Sequence, residues 1–243
     1  MKRTVIASIG LALLVLLQVV MCVPLEAGTT ASPPQSRAYG KTLSEWMRLY
    51  FTWFTSGAVG ADHVGHVRFL NLPAPVPVSG TGVYADPATL QGHLDIALRP
   101  GTPFVLPVVS WVGETYDPAL GYDDDPVLPA EIFTDASQVT IKVSIDGKPV
   151  MDSTSTSVGP FYFGPVPLDV TYATPTFYGA VGAIFVQGIG FVHSPLSVGT
   201  HTIELDSELL IPPDPALLNP NLYPEGVGIR FLNSWTITVS PRP

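Results

Sequence analysis

The sequence predicts an all-β fold: a two-sheet sandwich, with a jelly roll as one arrangement, carrying one N-terminal amphipathic helix. Three observations predict it. Beyond residue 40 several runs alternate apolar and polar residues at period two, as strands with one covered face do. Two other runs are apolar at both parities, which suits strands covered on both faces. Stretches drawn from 26 prolines and 22 glycines separate these runs, as turns do in sandwiches.

The N terminus has the grammar of an export signal. Lys2 and Arg3 precede an uncharged apolar run from Val5 to Val23, and small residues follow at Ala27 and Ala31. Residues 1–27 are therefore expected to be a signal peptide, with an uncleaved anchor or a lipid on Cys22 as alternatives. Residues 28–39, small, polar and bearing Pro33 and Pro34, read as a flexible tether. Residues 40–243 then form a single domain.

The helix comes next. Thr42 followed by Glu45 has capping-box spacing, and Trp46, Leu49, Tyr50 and Trp53 share one face. Gly57 is placed to end it. Val139 to Ile145 alternates without a break, and Asp146-Gly147 predicts a tight hairpin after it. His201 to Asp206 alternates likewise. The last strand puts Val227, Ile229, Phe231, Trp235, Ile237 and Val239 on one face. Asn233 interrupts that face and is expected to mark a bulge or bend. Phe104 to Val112 and Val181 to Val192 are the runs apolar at both parities. Long loops are expected over residues 72–92, 113–137 and 212–226, where binding groups on a sandwich usually sit.

Composition narrows the functional classes. Cys22 is the only cysteine, so a mature domain has neither disulfide nor thiolate chemistry, and 46% hydrophobic against 13% charged residues must supply the core. A net charge of −9 without a basic stripe excludes nucleic acid as a partner. Membrane contact is expected only through the N-terminal segment, if it is retained.

Several stretches occur together in a recognisable order. They are Tyr39-Gly40-Lys41-Thr42 with Glu45-Trp46; Pro100-Gly101 with Phe104 to Trp111 and Gly113-Glu114; Asp146-Gly147-Lys148-Pro149-Val150; and Pro195 to Ile203. The set resembles an uncharacterised family of exported bacterial β proteins opening with a Tyr-Gly-Lys-Thr…Glu-Trp helix, over most of residues 39–240. This chain departs from the family pattern at Leu49 to Trp53, where relatives tend to be Trp-rich, and in lacking cysteines in the mature part. The resemblance implies an envelope or secreted β protein and brings no catalytic residue with it.

The sharpest chemical feature is the acidic loop 113–137. Glu114, Asp117, Asp123, Asp124 and Asp125, followed by Glu131 and Asp135, supply hard oxygens of the kind calcium takes, although not at EF-hand spacing. The bland alternative is a solvated acidic loop. Tyr116, Tyr122 and Tyr223 are the candidate ligand-binding residues, offering exposed rings on which a sugar can stack beside those carboxylates. Trp46, Trp53, Trp111 and Trp235 read as core. The histidines, including His63, His66 and His201, lack a spacing that gathers them as metal ligands. No Gly-x-Ser-x-Gly is present, and a Ser110–His63–Asp62 set carries no motif of its own.

The function expected is an exported, non-catalytic β-sandwich that binds a glycan or an envelope component through the loops. The alternatives are a carbohydrate-active enzyme using Glu114 and Asp117, a calcium-assisted glycan-binding protein, and a self-assembling surface protein.

Overall fold

Thr42 and Glu45 answer each other across the first turn of the helix. Thr42 Oγ1 accepts from the Glu45 amide at 3.2 Å, and Glu45 Oε2 accepts from the Thr42 amide at 2.7 Å. Helix α1 runs over Leu43–Thr55 and stops before Gly57, whose φ of +82° is left-handed. The computed structural model describes residues 31–33, 36–156, 158–176 and 178–240. The leader expected over 1–27 lies outside the described residues.

Eleven strands follow among the described residues: β1 (His63–Val64), β2 (Val67–Phe69), β3 (Val76–Ser79), β4 (Ala88–Leu98), β5 (Phe104–Tyr116), β6 (Val139–Ile145), β7 (Lys148–Asp152), β8 (Tyr162–Thr171), β9 (Ala180–His193), β10 (Gly199–Ile211) and β11 (Val227–Val239). They form a five-stranded sheet, β1-β2-β5-β9-β8, and a six-stranded sheet, β3-β4-β11-β10-β6-β7. Neighbours are antiparallel except β2–β5 and β4–β11, which are parallel. The fold is an all-β sandwich with one helix, as the patterning predicts.

Two apolar clusters hold the layers together. One lies between the sheets and includes Phe104, Leu106, Ile141, Phe191, Ile203 and Trp235. The other joins α1 to the outer face of the five-stranded sheet through Trp46, Tyr50, Phe51, Phe163 and Val186. The five-stranded sheet is thus covered on both faces, and this is why β5 and β9 are apolar at both parities. All four tryptophans are buried. The Trp46 indole donates to the Ala38 carbonyl at 2.7 Å and the Tyr50 hydroxyl to the Leu70 carbonyl at 2.8 Å, so two of the helix's buried rings are also hydrogen-bonded to the chain around it. The β6–β7 hairpin has Asp146 at φ +53° and Gly147 at φ +71°, the two left-handed residues its turn requires.

Three expectations need correction. Asn233 marks no bulge: β11 pairs with β10 in one unbroken register from Val227 to Val239, with Asn233 opposite Leu205. The tether is in part attached, since Ala31 bridges His193 and the Ser32 amide donates to the Val192 carbonyl at 2.8 Å. The stretch 72–92 is not all loop, because β3 and the start of β4 lie within it. Among the described residues no helix is long and apolar enough to cross a membrane.

Candidate functional site: a gap beside strand β5

The five-stranded sheet is incomplete on one side. β2 pairs with β5 at Arg68↔Phe104 and Phe69↔Val105, and the Leu70 amide donates to the Val105 carbonyl at 3.2 Å. The chain then leaves for the other sheet through Leu72-Pro73-Ala74-Pro75. Pro73 and Pro75 have no N–H, so this segment cannot extend the ladder along β5. Strand β5 also changes here. Its register against β9 shifts between Pro107 and Val109, and the carbonyl of the extra residue, Val108, turns to accept from Ser207 Oγ of β10 at 3.1 Å.

The edge closes again at Glu114. The Glu114 amide donates to Asp125 Oδ2 at 3.1 Å and the Asp125 amide donates to the Glu114 carbonyl at 3.0 Å. Asp125 therefore stands where a neighbouring strand would. Between Val108 and Gly113, β5 has β9 on one side and no strand on the other among the described residues. Backbone groups of alternate strand residues point the same way. Since those of Glu114 point out of the sheet edge, those of Ser110 and Val112 do too.

This gap is an apolar cavity of about 540 Å³. Phe51 and Phe54 of α1 wall one side, and Leu90, Leu205 and Phe231 of the larger sheet wall the other. Leu72 to Pro75 form a third wall, and Val108 to Ser110 with Val112 form the floor. No charged side chain lines it. Phe54, Ala74 and Pro75 are exposed and mark the mouth, whereas Phe51, Val108 and Val109 are buried. Its size and apolar lining fall in the range of ligand sites.

Two polar atoms in this lining have no hydrogen-bond partner among the described residues, Ser110 Oγ and Asn233 Oδ1. Asn233 is only 7% exposed. It pairs with Leu205 on one side and Gly92 on the other. Gly92 has to be glycine for the wall to exist: a Cβ there would lie 2.5 Å from Pro73 Cβ and 3.0 Å from the Ala74 carbonyl oxygen. A buried amide oxygen without a donor is costly, and this one is sealed from solvent behind the cavity wall, close against Gly92.

The residues expected to form a loop site are placed differently. Tyr116 is 4% exposed, and its hydroxyl donates to Asp125 Oδ1 at 3.1 Å. Tyr122 and Tyr223 are half-buried: Tyr122 meets Tyr116 edge-on at 5.9 Å, and Tyr223 meets Trp111 at 5.9 Å. The three rings pack on their neighbours and do not form an open stacking platform. Glu114 is held by the Tyr172 hydroxyl, which donates to its Oε1 at 2.8 Å.

The acids do not converge as calcium ligands. Asp117 caps a 3-10 turn, accepting from the Ala119 amide at 2.9 Å, and Asp123 and Asp124 are exposed. Asp125 alone turns inward, because the edge of β5 needs a partner there. Among the described residues, no three His, Cys, Asp or Glu side chains form a metal-holding group. Glu114 and Asp117, the pair considered for glycoside cleavage, are committed to different partners. Ser110 Oγ makes no hydrogen bond, so the Ser110–His63–Asp62 set is not assembled. His201 bonds Asp146 Oδ2 at 2.7 Å and the Ser197 carbonyl oxygen at 2.9 Å, as a structural residue does.

Burial dominates the ionisation of the inward acid cluster. It pushes Asp125 up to about 6, and it outweighs the Glu114 amide and the Tyr116 hydroxyl, which favour the carboxylate. Burial also raises Glu114, against the opposing bond from Tyr172. Tyr223 is pushed up to about 12, by burial first and the charge of Asp125 second.

Comparison with family models, curated proteins and solved structures finds no match to this chain.

Proposed function

We propose that this is an exported, non-catalytic binding protein whose ligand occupies the gap beside β5. The single observation that carries the reading is the cavity itself: a space of about 540 Å³ whose lining is apolar and carries no charged side chain. A concave apolar lining of this size suits an uncharged ligand. Export rests on the charged and apolar leader pattern of residues 1–27.

The reading of a carbohydrate-active enzyme finds less support. Its two acids serve structural partners: Glu114 accepts from the Tyr172 hydroxyl at 2.8 Å, and Asp117 caps a turn through the Ala119 amide at 2.9 Å.

A neutral apolar dye, N-phenyl-1-naphthylamine, tests the proposal. Its fluorescence should rise on binding the wild-type protein. Leu90→Arg, which puts a charge into the half-buried wall, should weaken binding by about ten-fold or more, because burying an unpaired charge is unfavourable. Leu120→Arg, at an exposed position outside the gap, should bind as the wild type does. No dye binding, or equal loss in both variants, contradicts the proposal.

A further inference from the structure

We infer that the ligand of the gap is an extended peptide segment that adds to β5 as a missing strand. This rests on the reading that the gap is the binding site. The open edge runs from Val108 to Gly113, roughly 20 Å at about 3.3 Å per residue. It is bounded at one end by the Leu70–Val105 hydrogen bond and at the other by the Glu114–Asp125 pair. The sheet is thus complete on both sides of an unfilled place. The outward N–H and C=O groups of Ser110 and Val112 are what such a segment would pair with, as in strand addition elsewhere.

The walls fix the chemistry of the segment. A strand alternates its side chains between two faces. Here one face of the added strand meets Phe51 and Phe54, and the other meets Leu90 and Phe231. Both are apolar and carry no charge, so the segment is uncharged along the gap. Toward the Glu114 end the surroundings turn negative, because Asp123 and Asp124 are exposed next to Asp125 in the chain. The chain as a whole carries −9. The segment that complements this surface is uncharged toward both walls and basic at one end. A compact apolar molecule would leave the Ser110 and Val112 backbone groups unpaired in the gap.

The test uses a fluorescein-labelled peptide with three Val-Thr repeats, two terminal lysines and blocked ends, added to the whole protein. Two isomers carry N-methyl groups, on the valine amides in one and on the threonine amides in the other. In a strand each set points to one edge, so only one isomer loses the bonds to β5. The parent should bind and displace N-phenyl-1-naphthylamine, and one isomer should bind about ten-fold or more weakly while the other matches the parent. Equal behaviour of the two isomers overturns strand addition. If the dye binds and no peptide displaces it, the strand is wrong while the gap stands as a site for small apolar molecules. If neither dye nor peptide binds, both readings fall. A second copy of the chain in the gap would give a dimer by sedimentation velocity that excludes the peptide, and would also overturn this inference.

Discussion

Asn233→Leu should make the protein more stable by about 1–3 kcal/mol, seen as a higher urea midpoint at unchanged slope. Leucine branches at the same carbon as asparagine and has nearly its shape. The substitution removes an amide oxygen that is sealed from solvent and has no hydrogen-bond donor. It breaks no bond made by that oxygen, and its methyl groups meet the apolar wall of Leu205 and Pro73. Most buried polar groups become unsatisfied or leave a hole when truncated, and the protein loses stability. A gain here would identify Asn233 as a residue kept at a cost in stability. A loss of stability would mean that the oxygen already has a partner in the folded protein.

Asp125→Asn should change how stability depends on pH. The folded protein holds this carboxyl near 6, above its ordinary value of 3.8, because it is buried. A carboxyl raised by folding binds its proton more tightly in the folded state. Its contribution is therefore fully present below about pH 4 and is lost as pH rises to about 6, to a total of about 2–3 kcal/mol. Asparagine stays neutral throughout. Its oxygen can accept from the Glu114 amide while its NH₂ donates to Tyr116. The variant should match the wild type at pH 4 and exceed it by about 2–3 kcal/mol at pH 7. Taking the difference between the two removes the other carboxylates, such as Asp146 and Asp152, whose shifts run downward. A difference independent of pH would show that Asp125 is not held in a poorly solvated place.

The strands and the helix are legible because each is written in local periodicity. β6 alternates residue by residue, α1 carries its cap and stripe, and β5 and β9 are apolar at both parities because layers cover both their faces. The gap is not local. It depends on how far β2 runs beside β5, which is decided by prolines that look like ordinary loop residues. Pro73 and Pro75 stop the pairing from one side, and Pro107 sits at the register shift on the other. Asn233, a polar residue on an apolar strand face, is the visible signal, but periodicity alone does not separate a bend from a buried polar side chain in a cavity wall. The acidic loop misleads for the opposite reason. Charge density suggests a solvated surface, yet a strand edge can draw one carboxylate inward, as Asp125 is drawn to Glu114. Tyr116 follows it into the interior.

Residue-resolved amide hydrogen exchange of the free protein tests the open edge most directly. The amides of Trp111 and Gly113 face β9, and that of Glu114 faces Asp125, so all three should exchange slowly. Those of Ser110 and Val112, between them, should exchange at least about ten-fold faster, giving an alternating pattern along one strand. Uniform slow exchange from Trp111 through Glu114, with Ser110 and Val112 as protected as their neighbours, would mean that the edge of β5 is already paired and that no strand is missing.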